Sequence, residues 1–208
     1  MKFSIVIPSY LGPYAGSAKD RDRKLIRAVN SCLAQSFTDF EVLVIADGCE
    51  KTVTLLSDID DPRLGIYKIQ RHKLWSGYPR NTGIEQAKGE FITYLDIDDI
   101  IGEHHLEIIN NRLNGFDWVW YNDLRYDPRN EIWFEQQCNI KQVGLHGTSN
   151  ITHKTSLQVR WDENGRYAHD YYYFVQKLLK FTNFTKIQTP EYYVCHVPGT
   201  VTSGGYDL

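Results

Sequence analysis

Residues 91–99 read FITYLDIDD. The run 91–95 is apolar, β-branched or aromatic and predicts a buried strand. It ends in three carboxylates within four residues: Asp96, Asp98 and Asp99. Like charges this close repel, and burying them is expensive unless something positive neutralises them. Two readings follow: a solvated turn with Asp99 capping the next helix, or a seat for a divalent cation. In extended geometry Asp96 and Asp98 flank Ile97 and point the same way. Two such oxygen donors at a strand end suit Mg2+ or Mn2+.

Working outward, the first half alternates strand and helix signals. Residues 3–7, 40–45 and 64–69 read as strands. Residues 21–35 carry Leu25, Ile26, Val29, Cys32 and Leu33 at helical spacing, with Asp20 or Asp22 available as a cap. Short helices are expected at 52–57 and at 82–88, the latter closed by Gly89. This β-α-β order predicts an α/β domain whose mainly parallel sheet is flanked by helices, with ligands gathering at the carboxyl ends of the strands. Pro8, Ser9 and Tyr10 fall at one such end, Asp47-Gly48 at a second, and the acidic cluster at a third.

The second half is less regular. It suggests helices at 103–113 and 170–181, strands at 118–121 and 192–197, and loop over 127–150. Phe174, Val175, Leu178 and Leu179 would share one side of the later helix, and His104 and His105 would sit on the earlier one as structural residues. No repeat or linker divides the chain, so 1–208 reads as one domain with halves 1–100 and 101–208.

The 208 residues are 42% hydrophobic, 24% charged and 13% aromatic, which is a globular composition with room for a sizeable core. A net charge of −3 gives no electrostatic case for non-specific nucleic-acid binding. Cys32, Cys49, Cys138 and Cys195 form no CxxC pair, which argues against a zinc site and for reduced thiols. No apolar run reaches membrane-spanning length, so no integral membrane segment and a cytoplasmic location are expected.

Four segments taken together resemble the family 2 glycosyltransferases of GT-A fold: FSIVIPSY, SCLAQSFTDFEVLVIADG, PRNTGIEQAKGEFITYLDIDD and RYAHDYYYFVQKL. The resemblance covers nearly the whole chain and implies a Rossmann-like GT-A domain. It implies that residues 1–100 bind a nucleoside-diphosphate sugar and residues 101–208 bind the acceptor and carry the catalytic base. Pro8, Ser9, Tyr10 and Asp47 would hold the nucleoside, with Asp47 accepting from a base N–H. The chain departs from the family pattern at Ala46 and Cys49, where an acid and a Ser are usual. Arg80, followed by Asn81, would neutralise diphosphate or fix Asp96 by a charge-assisted bond. Asp98 is the expected metal ligand, Asp96 a ribose or metal-supporting contact, and Mn2+ or Mg2+ the cofactor.

In the same resemblance Asp170, at a helix start, is the catalytic base, preceded by His169 where the family has Glu. An ordinary N-cap is the alternative reading of Asp170 from its residues alone. His196 would ligate the metal or touch the leaving diphosphate, Trp75 would stack, and segment 145–150 would line the acceptor side. The implied acceptor is a glycan, a lipid-linked glycan or another hydroxyl. A modified DNA base, a non-catalytic sugar-nucleotide-binding module and a nucleotidyltransferase are the alternatives.

Overall fold

A computed structural model describes residues 1–72, 74–127, 130–143, 145–147, 150–165, 169–187 and 190–195, with backbone alone at 169–171. Strands β1 (Phe3–Ser9), β2 (Phe40–Asp47), β3 (Leu64–Ile69) and β4 (Phe91–Tyr94) run parallel in the order β4-β1-β2-β3. β2 is buried along its whole length and β1 almost so. Strands covered on both faces must be apolar at successive positions, which is why these segments read as continuous hydrophobic runs. The sheet extends on the β4 side through β9 (Ile151–Lys154), antiparallel to its neighbours, to β6 (Trp118–Tyr121) and β10 (Phe184–Ile187).

Alternate residues of each strand feed different layers. Phe3, Ile5 and Ile7 with Val42 and Val44 meet α1 (Arg21–Leu33) through Leu25 and Val29, and α4 (His105–Arg112) through Leu106 and Ile109. Val6, Leu43 and Ile45 face the opposite layer. There α3 (Gly77–Gln86) contributes Ile84 and α5 (His169–Leu178) contributes Phe174, Val175 and Leu178. A shorter helix, α2 (Glu50–Leu56), links β2 to β3.

A second sheet of four strands has the order β5-β11-β7-β8, from β5 (Ile100–Ile101), β7 (Asp123–Asp127), β8 (Ile132–Gln136) and β11 (Tyr192–Val194). It corrects the expectation of loop over 127–150. β8 is an edge strand, largely exposed, with no buried face to impose an alternating pattern. The helix expected at 82–88 instead begins at Gly77 and ends at Gln86. Its buried face is made of Gly77, Pro79, Arg80, Asn81, Gly83 and Ile84, so it has no apolar stripe to read. Gly83 lets this helix lie against β1: a Cβ there would stand 2.3 Å from Val6 Cγ1.

The order places a topological switch at β1. The chain runs outward from β1 through β2 to β3, then returns to set β4 on the other side of β1. A crevice therefore opens outside the carboxyl ends of β1 and β4. Ser9 and Tyr10 stand at one end and the acidic turn at the other.

Candidate active site

The acidic residues occupy a tight turn and not an extended strand end. β4 stops at Tyr94, and the Asp99 amide donates to the Asp96 carbonyl at 3.1 Å. The turn divides the three carboxylates among different tasks. Asp99 is buried, accepting from the Tyr192 hydroxyl and the Cys195 amide, each at 2.8 Å. It ties β11 to the turn, which corrects the reading of Asp99 as a helix cap. Burial, then Asp98 and Asp96 beside it, hold its carboxyl well above the usual carboxylate range.

Asp96 accepts from Arg80 Nη2 at 2.8 Å, the bond expected from the sequence. The Arg80 side chain is 3% exposed and Asp96 35% exposed, so the pair bridges the interior and the crevice. Its guanidinium lies 4.8 Å from the Trp161 ring. The next residue reaches the other way. Asn81 donates to the Trp161 carbonyl at 3.1 Å and to Glu163 at 3.0 Å, and accepts from the Trp161 amide at 2.8 Å. Adjacent residues of α3 thus hold the acidic turn and the segment that leads toward α5.

Asp98 is half-buried, and its backbone carbonyl accepts from Arg27 Nη2 on α1 at 3.0 Å. Asp96 and Asp98 offer hard carboxylate oxygens at the mouth of the crevice, a donor set that fits Mn2+ or Mg2+. Among the described residues no three His, Cys, Asp or Glu side chains cluster as a complete metal cage. Such a pair of carboxylates suits an ion that takes further ligands from a substrate phosphate.

At the end of β2, Asp47 is buried. Its carboxylate is ion-paired with Arg71 and accepts from the His72 amide at 2.6 Å. Arg71 also stands 3.7 Å from the centre of the Tyr10 ring. Gly48 permits this approach: its φ is +62°, and a Cβ would meet Arg71 Cβ at 2.4 Å. Tyr10 and Asp47 therefore converge through Arg71, a residue the sequence reading missed. Its position, two residues past the end of β3, was the available signal. Ser9 behaves differently: its hydroxyl is buried against Thr52 of α2 at 2.8 Å. Pro8 is half-buried beside it.

Asp170 is the second residue of α5, so the helix expected at 170–181 is present and begins at His169. The side chains of His169 and Asp170 lie outside the described residues, as does His196. Asp20 stands at the start of α1 with φ 50° and makes no side-chain cap bond, while Asp22 pairs with Lys51. Trp75 is exposed just before α3. His105 is buried against Tyr121 and Tyr192, and burial lowers its pKa to about 4. Within the segment 145–150 expected to line the acceptor side, Asn150 and His146 are buried, Asn150 just ahead of β9.

The family described as Glycosyl transferase family 2 matches residues 4–179. Among curated proteins, the chain is 26% identical over 191 residues to the GalNAc(5)-diNAcBac-PP-undecaprenol beta-1,3-glucosyltransferase of Campylobacter jejuni, covering 82% of this chain and 56% of that protein. It is 27% identical over 131 residues to the poly(ribitol-phosphate) beta-N-acetylglucosaminyltransferase TarS of Staphylococcus aureus, covering 55% of this chain and 21% of TarS. The chain thus spans about half the length of the first relative and about a fifth of the second. Among solved structures, S. aureus TarS 1-349 in complex with UDP-GlcNAc superposes with a TM-score of 0.74 at 20% identity, covering all of this chain and 62% of that one. The mannosyltransferase PcManGT of Pyrobaculum calidifontis, in complex with GDP-Man and Mn2+, does so with a TM-score of 0.67 at 14% identity, over 97% of this chain and 58% of that one.

Proposed function

Because the chain belongs to glycosyl transferase family 2, we propose that it moves a sugar from a nucleoside-diphosphate sugar to an acceptor hydroxyl, with inversion at the anomeric carbon. The observation that carries this reading is the convergence at one sheet edge. Tyr10 follows β1, Asp47 ends β2, and the Asp96–Asp98 turn follows β4, with Arg80 fixing Asp96.

In this reading Asp47 and Tyr10, with Pro8 and Ser9, hold the nucleoside, and Arg71 moves aside to let the base reach the Asp47 carboxylate. Asp98, with Asp96 beside it, would hold Mn2+ or Mg2+, with His196 as a further ligand. An ion held there would supply positive charge beside the departing diphosphate. Arg80 holds Asp96 aimed at the ribose side of the donor. Asp170 takes the acceptor hydroxyl's proton as that oxygen bonds to the anomeric carbon and the bond from that carbon to the diphosphate oxygen breaks. The first turn of a helix favours an ionised carboxylate there. The acceptor is a glycan or a lipid-linked glycan bound toward Asn150. The name of the C. jejuni relative gives a lipid-linked glycan as its acceptor, and that of TarS gives poly(ribitol-phosphate).

The test is a panel of nucleotide sugars incubated with the protein and Mn2+. Release of nucleoside diphosphate is expected, whereas pyrophosphate released from a nucleoside triphosphate and a sugar 1-phosphate supplied in its place would assign nucleotidyl transfer instead. Calorimetry should show Mn2+-dependent binding of the diphosphate that Asp98→Asn abolishes with the fold intact. Equal affinity with and without Mn2+ in the wild type would end the metal reading.

A further inference from the structure

Helix α1 carries a polar stripe that the proposed reaction does not use. Arg27, Ser31 and Gln35 recur at helical spacing along the face turned to the segment 98–106. Each satisfies backbone groups of that segment. Arg27 donates to the Asp98 carbonyl at 3.0 Å. Ser31 Oγ accepts from the Ile101 amide at 3.3 Å. Gln35 donates to the Gly102 carbonyl at 2.6 Å and accepts from the Leu106 amide at 2.9 Å. Lys24 is the first rung of the same stripe and differs from the others. It is 5% exposed, and its buried ammonium nitrogen has no hydrogen-bond partner.

None of the neighbouring carboxylates among the described residues reaches that nitrogen. The Asp99 carboxylate is taken by Tyr192 and the Cys195 amide. An unpaired ammonium in the interior is strongly unfavourable. Lys24 also lies nearer the start of α1 than Arg27, and that end is the one beside the carboxyl edge of β1. The rung without a partner is therefore the one nearest that edge, one turn before the residue that holds the Asp98 carbonyl. Asp20 leaves the start of α1 without a side-chain cap, so the positive end of the helix adds to the same field.

We propose that Lys24 is a phosphate-binding residue, whose ammonium pairs with phosphate oxygens of a substrate seated beside Asp98. The flexible four-carbon stem lets the nitrogen swing toward the crevice to meet them. This deepens the reading above by assigning a cation on α1 to the phosphate. The phosphate belongs either to the donor diphosphate or to a phosphorylated acceptor.

The deciding variant is Lys24→Met, which keeps the stem and removes the charge. The probes are UDP and GDP with Mn2+, the corresponding nucleosides, inorganic pyrophosphate and glycerol phosphate, titrated by calorimetry. Loss of one charged hydrogen bond predicts roughly 10- to 100-fold weaker diphosphate binding. Nucleoside affinity should not change, and Lys24→Arg should bind within a few fold of wild type. Weakening confined to glycerol phosphate would assign the phosphate to the acceptor. The melting temperature of Lys24→Met should equal or exceed that of wild type. A marked fall would mean that the ammonium already has a counter-charge inside the protein, and overturns the inference, as do unchanged affinities for every phosphate probe. Wild-type protein that binds pyrophosphate through Lys24 but neither nucleoside diphosphate would keep this inference and remove the transferase reading. Protein that binds none of the probes removes both.

Discussion

Removing either partner of the Arg80–Asp96 pair should destabilise the protein unequally, and the inequality follows from exposure. Arg80→Met keeps an apolar stem but removes a charge-assisted bond worth about 1.5–3 kcal/mol and a contact with the Trp161 ring worth about 0.5–1 kcal/mol. The Asp96 carboxylate left behind is 35% exposed and regains water, so the penalty for an orphaned charge is small. A loss of about 2–3 kcal/mol is expected, which in a chain of this size lowers the melting temperature by roughly 4–12 °C. Asp96→Ala leaves a guanidinium only 3% exposed without that carboxylate. The loss should approach the figure typical of a broken buried pair, about 3–5 kcal/mol. The double variant should lose less than the sum, with a coupling of about 1–2 kcal/mol. Thermal unfolding followed by near-ultraviolet circular dichroism measures all three. Additive losses, or a greater loss for Arg80→Met than for Asp96→Ala, would refute this account of the pair.

Two further outcomes are expected. Asp170→Asn should melt near the wild-type temperature, since Asn caps a helix about as well as Asp, yet transfer should fall by roughly two to four orders of magnitude. Near-full transferase activity in that variant would place the base elsewhere, with His169 next to be tested. The buried histidines His105, His146 and His153 have pKa values lowered to about 4, chiefly by burial. Each is neutral in the folded protein but binds a proton below about 6.5 when unfolded. Their contribution is therefore complete above about pH 6.5 and is lost as pH falls toward about 4, by up to about 1.4 kcal/mol per pH unit for each histidine. Denaturant unfolding between these limits should show that slope, His153→Gln should reduce it, and a flat profile would contradict it.

The parts of the fold legible in the sequence are those whose environment is uniform. β1, β2 and β4 lie between two helical layers, so nearly every residue is apolar and the segment announces itself. α1 has one core face and shows its period. The second sheet was opaque because its strands depend on partners distant in sequence. β5 has two residues, and it pairs with β11 some ninety positions away. The acidic turn shows a similar limit. The bond from Arg80 to Asp96 could be expected from the sequence, but the withdrawal of Asp99 from the crevice could not. That withdrawal depends on Tyr192 and Cys195 reaching Asp99 from far along the chain. Arg71 and Lys24 escaped notice because an isolated basic residue after a strand or early in a helix looks like ordinary surface. The stripe Lys24-Arg27-Ser31-Gln35 was present in the spacing, and reading polar residues for period as well as apolar ones would have exposed it.

Helix α3 acts as a spacer of fixed length. Arg80 grips the turn that ends β4, and Asn81, one peptide bond away, grips residues 161–163 on the approach to α5. The gap between these two attachments is set by covalent geometry and by Gly83 seated on Val6, with little scope for adjustment by loops. In the proposed reaction, a change of acceptor in a related chain would then be expected to remodel the segment around Asn150 and leave these two attachments in place. The distance between donor and base would be inherited unchanged, in the way a vise can take different workpieces while its screw thread stays the same.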